Sequence, residues 1–215
     1  MTASPPKAQI IFVRHGQTAH NKEKRMQGHL DAPLDETGQA QAQGLARHLR
    51  ALGVQNPSIH ASDLRRAYAT AEAIQAEVGG TLTPHRDLRE IHMGDWEDCL
   101  YADIQASHPD EYTRFWQGDP DCRPPSGETP AEVARRVLAQ VQRLWPQRGE
   151  TVLIVSHGIA ITGVLCELLG LHYQTEFRSG SLMHLNTAYS VLEVCPDTHQ
   201  VLRAEVAQAG HLARG

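Results

Sequence analysis

The chain is short of the features that mark several whole classes of protein. Its 215 residues include only 4 cysteines. These are Cys99, Cys122, Cys166 and Cys195, and no two form a C-x-x-C pair, which excludes a zinc ribbon and a thioredoxin-like motif. No apolar stretch approaches the roughly 20 residues of a membrane span. No run of Lys or Arg is long enough for a nucleic-acid or membrane-surface patch, and the formal net charge is −5. Neither nucleic acid nor membrane is therefore expected as a partner. An anionic substrate would be drawn in locally, by a few arginines in a cleft, and not by the overall field. Low-complexity segments and short-period repeats are missing too. The polar stretch 1–7 leads straight into an apolar run without a signal-peptide pattern, so cytoplasmic residence with free thiols is expected.

What remains is ordinary globular material, 40% apolar and 21% charged, long enough to bury one full core. One pattern occurs twice: an apolar, β-branched run followed by His-Gly. The copies are Ile10-Ile11-Phe12-Val13-Arg14-His15-Gly16 and Val152-Leu153-Ile154-Val155-Ser156-His157-Gly158. Runs of this length without alternation read as strands buried on both faces of a parallel sheet. Ligands of open α/β sheets bind outside the carboxyl ends of the strands. If the two strands are neighbours, about 4.8 Å apart, His15 and His157 meet over one substrate.

Strands and helices alternate along the rest of the chain as in βαβ units. Helical spacing runs over 36–52 and is closed by Gly53. A short strand is expected at 58–61, then a helix capped by Ser62 and stopped by Gly79-Gly80, then a strand near 81–85. The Pro-punctuated, aromatic segment 98–128 reads as an insertion of short helices and loops over the sheet edge, a lid. Thr129-Pro130-Ala131-Glu132 is a capping box opening a helix that Pro146 ends. A helix at about 159–169, a linker, strands near 188–194 and 201–206, and a frayed end at 209–215 complete the pattern. The expected fold is α/β, a three-layer sandwich whose mostly parallel central sheet carries helices on both faces, as one domain over 1–215.

Several residues carry chemistry. A lone strand-end histidine among 13 has a structural explanation, but a pair on one sheet edge is hard to produce by accident. Gly16 would let the backbone approach an anion and leave amide groups free for oxygens. Arg66 falls in the first turn of its helix, where the dipole disfavours a cation unless an anion shares the spot. Arg65, about a hundred degrees around the helix, reads as solvated. A carboxyl beside a bound phosphate ester, its pKa raised, would protonate a leaving oxygen and later activate water. Spacing alone does not choose among Glu90, Asp95 and Glu97.

These motifs together resemble the histidine phosphatase superfamily, in the branch that contains cofactor-dependent phosphoglycerate mutases and their phosphatase relatives. Arg14-His15-Gly16 matches the signature, and Asn21 follows six residues past the histidine. Gln27-Gly28 and Asp31-Ala32-Pro33-Leu34 resemble the next block. Ser62-x-Leu64-x-Arg66-Ala67-x-x-Thr70-Ala71 fits a further pattern, Glu90 falls on the acid-base glutamate, and Ser156-His157-Gly158 on the second histidine motif. The resemblance implies that His15 is the nucleophile and forms a phosphohistidine. It makes Arg14, Arg66, His157 and Asn21 the phosphate ligands and Glu90 the proton donor and acceptor, with neither metal nor cofactor required.

Glu90-Ile91-His92-Met93-Gly94 departs from the Glu-Arg-His-Tyr-Gly of the mutases. Asp95-Trp96-Glu97-Asp98 resembles the phosphatase pattern Gly-x-Trp-Glu-Gly with Asp98 in place of its last glycine. Pro125-Ser126-Gly127-Glu128-Thr129 also resembles the phosphatases. The implied activity is hydrolysis of small-molecule phosphate monoesters. The alternatives are a 2,3-bisphosphoglycerate-dependent phosphoglycerate mutase and a non-catalytic phosphate-binding module. His92, Trp116 and Arg178 are candidates for the leaving-group pocket. Oligomeric state is not legible, and a homodimer stays open.

Overall fold

In the computed structural model, which describes residues 8–214, six strands form one sheet. They are β1 (Ala8–Arg14), β2 (Ser58–Ser62), β3 (Thr81–His85), β4 (Thr151–Ser156), β5 (Tyr189–Val194) and β6 (Val201–Gln208), in the order β3-β2-β4-β1-β5-β6. The first four are mutually parallel, and β5 and β6 extend the sheet as an antiparallel pair. Strands β1 and β4, which carry the two His-Gly motifs, are direct neighbours with Arg14 level with Ser156. His15 and His157 therefore leave the same sheet edge at the same height.

Alternation of side chains along these strands produces the three layers. Ile10, Phe12, Val152 and Ile154 face one way, toward α6 (Pro130–Arg143) and α7 (Gly158–Leu169). Ile11, Val13, Leu153 and Val155 face the other, toward α2 (Glu36–Ala51) and α3 (Arg65–Val78). The absence of alternation in the sequence is thus explained, since both faces are covered. Among the described residues no helix is long and apolar enough to cross a membrane, and all four cysteines are free thiols.

Local signals set most helix ends. Asp35 accepts the Gly38 N–H at 2.7 Å at the start of α2. The Thr129 and Glu132 capping box opens α6 behind Pro130, and Gly170 closes α7 in the left-handed region. Helix α6 stops at Arg143, three residues before Pro146. Ser62 does not cap α3. It belongs to β2, and its hydroxyl accepts only the Leu64 N–H at 3.3 Å. The Arg65 N–H is taken instead by Asp31 Oδ1 at 2.7 Å, a cap supplied from a distant loop.

Two further differences arise from packing. The expected linker after α7 contains α8 (Tyr173–Ser179), whose Tyr173 and Phe177 rings stack one turn apart. The end of the chain is a 3₁₀ turn over Gly210–Arg214, held by His211 stacked on His48, and not frayed over its described length. Short helices α4 (Tyr101–Ser107) and α5 (Pro109–Trp116) occupy the aromatic insertion, as expected; the remaining helix, α1 (Ala19–Glu23), follows β1.

Gly16 has a different reason from the one its sequence context indicates. A Cβ there would lie 2.5 Å from the carbonyl oxygen of Gly38, and the Gly16 N–H is donated to Thr70 Oγ1 at 3.1 Å. The glycine lets the loop after β1 press against α2, and its amide is not free for an anion. Gly16→Ala is expected to destabilise the fold by about 1–3 kcal/mol, read as a fall in Tm of about 2–4 °C per kcal/mol in thermal denaturation.

Candidate active site

His15 and His157 meet where β1 and β4 end, with ring centroids 5.1 Å apart and planes inclined by 60°. The His15 ring is oriented on both sides. Its Nδ1 lies 2.7 Å from the Gly16 carbonyl oxygen, which makes Nδ1 the protonated nitrogen, and Arg66 Nε donates to its Nε2 at 3.3 Å. The Nε2 lone pair therefore faces the cationic side of the site. Burial, with the Arg66 and Arg14 guanidiniums close by, holds the His15 pKa well below the ordinary histidine value. The ring is neutral at neutral pH.

Arg66 is 1% exposed. The rest of its guanidinium is fixed by the Leu30 carbonyl at 2.7 Å and the Gly28 carbonyl at 2.8 Å. Burial brings its pKa down to about 10, which still leaves it a cation at neutral pH. Arg14 donates to the His184 carbonyl at 2.6 Å, while its buried Nε has no hydrogen-bond partner. Both ring nitrogens of His157 are likewise buried without partners, and burial holds its pKa well below the ordinary value. Orphaned buried polar groups are costly, the more so when charged. An oxyanion beside His15 would accept from the Arg14 Nε–H and from the single N–H of the neutral His157 ring.

Geometry chooses among the three acids. Asp95 is exposed, and Glu97 is committed to the loop, its Oε1 accepting from the N–H groups of His29 at 2.7 Å and Met93 at 3.2 Å. Glu90 lines the cavity with His15, Arg14 and Arg66. Its carboxylate accepts the N–H groups of Ile159 at 3.2 Å and Ala160 at 2.9 Å at the start of α7, and of Ile91 at 3.1 Å. Glu90 thus satisfies the helix terminus that His157 opens, which ties the second histidine to the acid.

The backbone at Glu90 is clamped by residues that sequence reasoning missed. Arg136 donates to the Asp87, Arg89 and Glu90 carbonyls at 3.1, 3.0 and 3.1 Å, and is itself paired with Glu128 at 2.7 Å. His29 Nε2 lies 2.8 Å from the same Glu90 carbonyl oxygen. A proline-flanked glutamate, Glu128, eight residues before an arginine on an amphipathic helix was the available signal, but nothing in it says which loop the pair holds.

The remaining expected residues fall around this centre in different ways. Asn21 lines the cavity; its Oδ1 accepts from Thr18 and from Asn186, so only its amide nitrogen is free to meet a ligand. Gln27 also lines it and accepts from the Thr18 hydroxyl at 2.8 Å. Gly28, at φ +52, is the carbonyl that holds Arg66, and a Cβ there would run into Glu97. Gly158 begins α7, where an added Cβ would meet nothing closer than Arg14 at 3.7 Å. Of the leaving-group candidates, Trp116 lines the cavity. His92 sits outside it, its ring beside His29 and its Nε2 3.7 Å from Glu97, and Arg178 is an exposed residue of α8. Arg65 is exposed as expected, binding Asp31. No cluster of three or more His, Cys, Asp or Glu side chains among the described residues is arranged to hold a metal ion.

The cavity measures about 240 Å³. Beyond the polar centre its wall is made by Met26, Met93, Tyr101, Phe115, Trp116 and Phe177, contributed by the loop after α1, the segment after β3, and α4, α5 and α8.

Comparison with known proteins agrees with this constellation. Residues 10–206 match the histidine phosphatase superfamily (branch 1). The chain is 36% identical over 154 residues to phosphoglycerate mutase-like protein 4 of Arabidopsis thaliana, which covers 70% of this chain and 66% of that protein. It is 36% identical over 171 residues to the glucosyl-3-phosphoglycerate phosphatase of Mycolicibacterium vanbaalenii, 75% of this chain and 74% of that one. The solved structure of YhfR from Bacillus stearothermophilus superposes with a TM-score of 0.84 at 31% identity, covering 95% of this chain and 99% of its own. With its two histidines, two arginines and glutamate at one sheet edge, the chain belongs to the histidine phosphatase superfamily, branch 1.

Proposed function

We propose that this member of the superfamily, a small-molecule phosphatase, works through a phosphohistidine on His15 with Glu90 as its acid and base. The observation that carries the mechanism is the pairing of a neutral, oriented imidazole with orphaned cationic and polar nitrogens on one spot. In the first step His15 Nε2 forms a bond to phosphorus, the ester P–O bond breaks, and Glu90 gives its proton to the departing oxygen. In the second, water attacks phosphorus, the N–P bond breaks, and Glu90 takes the water's proton. Inorganic phosphate leaves and the enzyme is restored. Arg14 and Arg66 stabilise charge on the equatorial oxygens, with the Asn21 amide and His157 completing the cradle. The whole chain, 1–215, acts as one domain in this scheme, and the 98–128 segment serves as the lid that keeps bulk water from the phosphohistidine.

A mutase has to hold a second anionic group while the phosphoryl group is on histidine. Buried Ile91 and Met93 stand after Glu90, and Arg25, the one arginine on the outer wall among the described lining residues, is paired with Glu23 at 3.1 Å. This favours hydrolysis. Phosphate release from a panel of monoesters, without added 2,3-bisphosphoglycerate, is the expected result. Interconversion of 2- and 3-phosphoglycerate that needs the bisphosphate and outruns phosphate release would overturn it in favour of the mutase.

A further inference from the structure

The cavity has two zones of opposite character. The inner one is cationic and polar, formed by Arg14, His15, Arg66 and Glu90; the outer one is apolar and aromatic. The aromatic wall is a contiguous cluster of rings. Trp116 lies 5.4 Å from the Tyr101 ring and 6.1 Å from the Phe177 ring, and meets Phe115 edge to face at 5.7 Å. Within it, Trp116 Nε1 is buried with no hydrogen-bond partner.

Charge on the outer wall is cancelled. Arg25 is its only Lys or Arg among the described lining residues. Its Nε binds Glu23 at 3.1 Å, and its NH1 donates to the Asp98 backbone carbonyl at 2.7 Å and lies 3.8 Å from the Asp98 carboxylate. Asp98 holds φ +64, a backbone setting suited to glycine, and keeps a second contact with His20 at 3.2 Å. An acidic side chain in that strained position surrounds the one arginine of the rim with carboxylates.

From this juxtaposition we infer that the site selects phosphate monoesters whose alcohol is uncharged, flat and apolar, and rejects esters whose alcohol carries a carboxylate or a second phosphate. The inference rests on the phosphatase proposal and specifies its leaving group. An aromatic alcohol stacks on the wall and removes its own apolar surface from water. A carboxylate there would lose its hydration and find Arg25 already matched.

The test compares benzyl phosphate with 3-phosphoglycerate, two esters of aliphatic alcohols, so that intrinsic leaving ability does not decide the result. Wild-type kcat/KM is expected to favour benzyl phosphate by about 100-fold. Trp116→Leu should reduce that preference by about tenfold, mostly through KM. Asp98→Gly keeps the backbone carbonyl that binds Arg25 but removes the carboxylate, and should raise kcat/KM for 3-phosphoglycerate by about fivefold. Equal or faster turnover of 3-phosphoglycerate by the wild type would overturn the inference and leave the phosphatase proposal standing. Release of phosphate from neither of these esters nor any other tested would overturn both.

Discussion

His15→Ala is expected to lower kcat for phosphate release by about 10⁴-fold or more, the scale seen when a covalent nucleophile is removed. The expectation follows from how the ring is held. Its Nδ1 proton is committed to the Gly16 carbonyl at 2.7 Å, so the lone pair that can attack phosphorus is on Nε2. Burial and the flanking arginines keep that nitrogen unprotonated. His157 offers no substitute, since it is fully buried and neither of its nitrogens is oriented by a partner. Alanine at position 15 also removes one contact of Arg66, but the Leu30 and Gly28 carbonyls still hold that guanidinium. The phosphate cradle should therefore persist without its nucleophile. Rapid acid-free quenching of wild type with a labelled ester should trap label on the protein that is lost in acid and stable in base. The variant should trap none. Turnover by the variant within tenfold of wild type, or labelling that survives the substitution, would remove His15 from the role.

Glu90→Gln should reduce kcat by about 10² to 10⁴-fold on esters of aliphatic alcohols, the range for loss of a general acid or base. Glutamine is nearly isosteric, and its carbonyl oxygen still accepts one of the α7 amides that now bond to Glu90. Proton transfer is lost while one of the two α7 amides stays capped. Esters of strongly acidic phenols separate the two halves of the reaction, because their phenolates leave without protonation. With such a substrate the variant should form the phosphohistidine at close to the wild-type rate and then stall, giving a burst of phenolate followed by slow release of phosphate. A uniform loss on both ester types with no burst would mean that Glu90 matters only as the cap of α7. A Tm well below that of wild type would point the same way.

Much of this site is legible in the sequence. The two β-branched runs before His-Gly had to be neighbouring buried strands for the pattern to mean anything, and β1 and β4 are neighbours in parallel register. Arg66 in the first turn of a helix was an anomaly of charge against dipole, and it is buried against His15. The capping box at Thr129 is a contact within four residues, so the local sequence determines it. The structure departs from the local pattern where a distant partner replaces a near one. Asp31 displaced Ser62 as the partner of the α3 terminus, and Gly38 explains Gly16 by close packing.

Residue types and their short-range spacing determined the layers, the strand-end histidines and the set of charged groups able to do phosphoryl chemistry. Those features depend on periodicity, capping and backbone preference, which act over a few residues. Tertiary structure alone decided which acid lines the cavity with His15, that Arg136 and His29 clamp its backbone, and that the outer wall is aromatic with Arg25, its one arginine among the described lining residues, neutralised. Each of these depends on contacts between segments tens of residues apart, and no local pattern encodes which side chain will be turned toward a shared cavity.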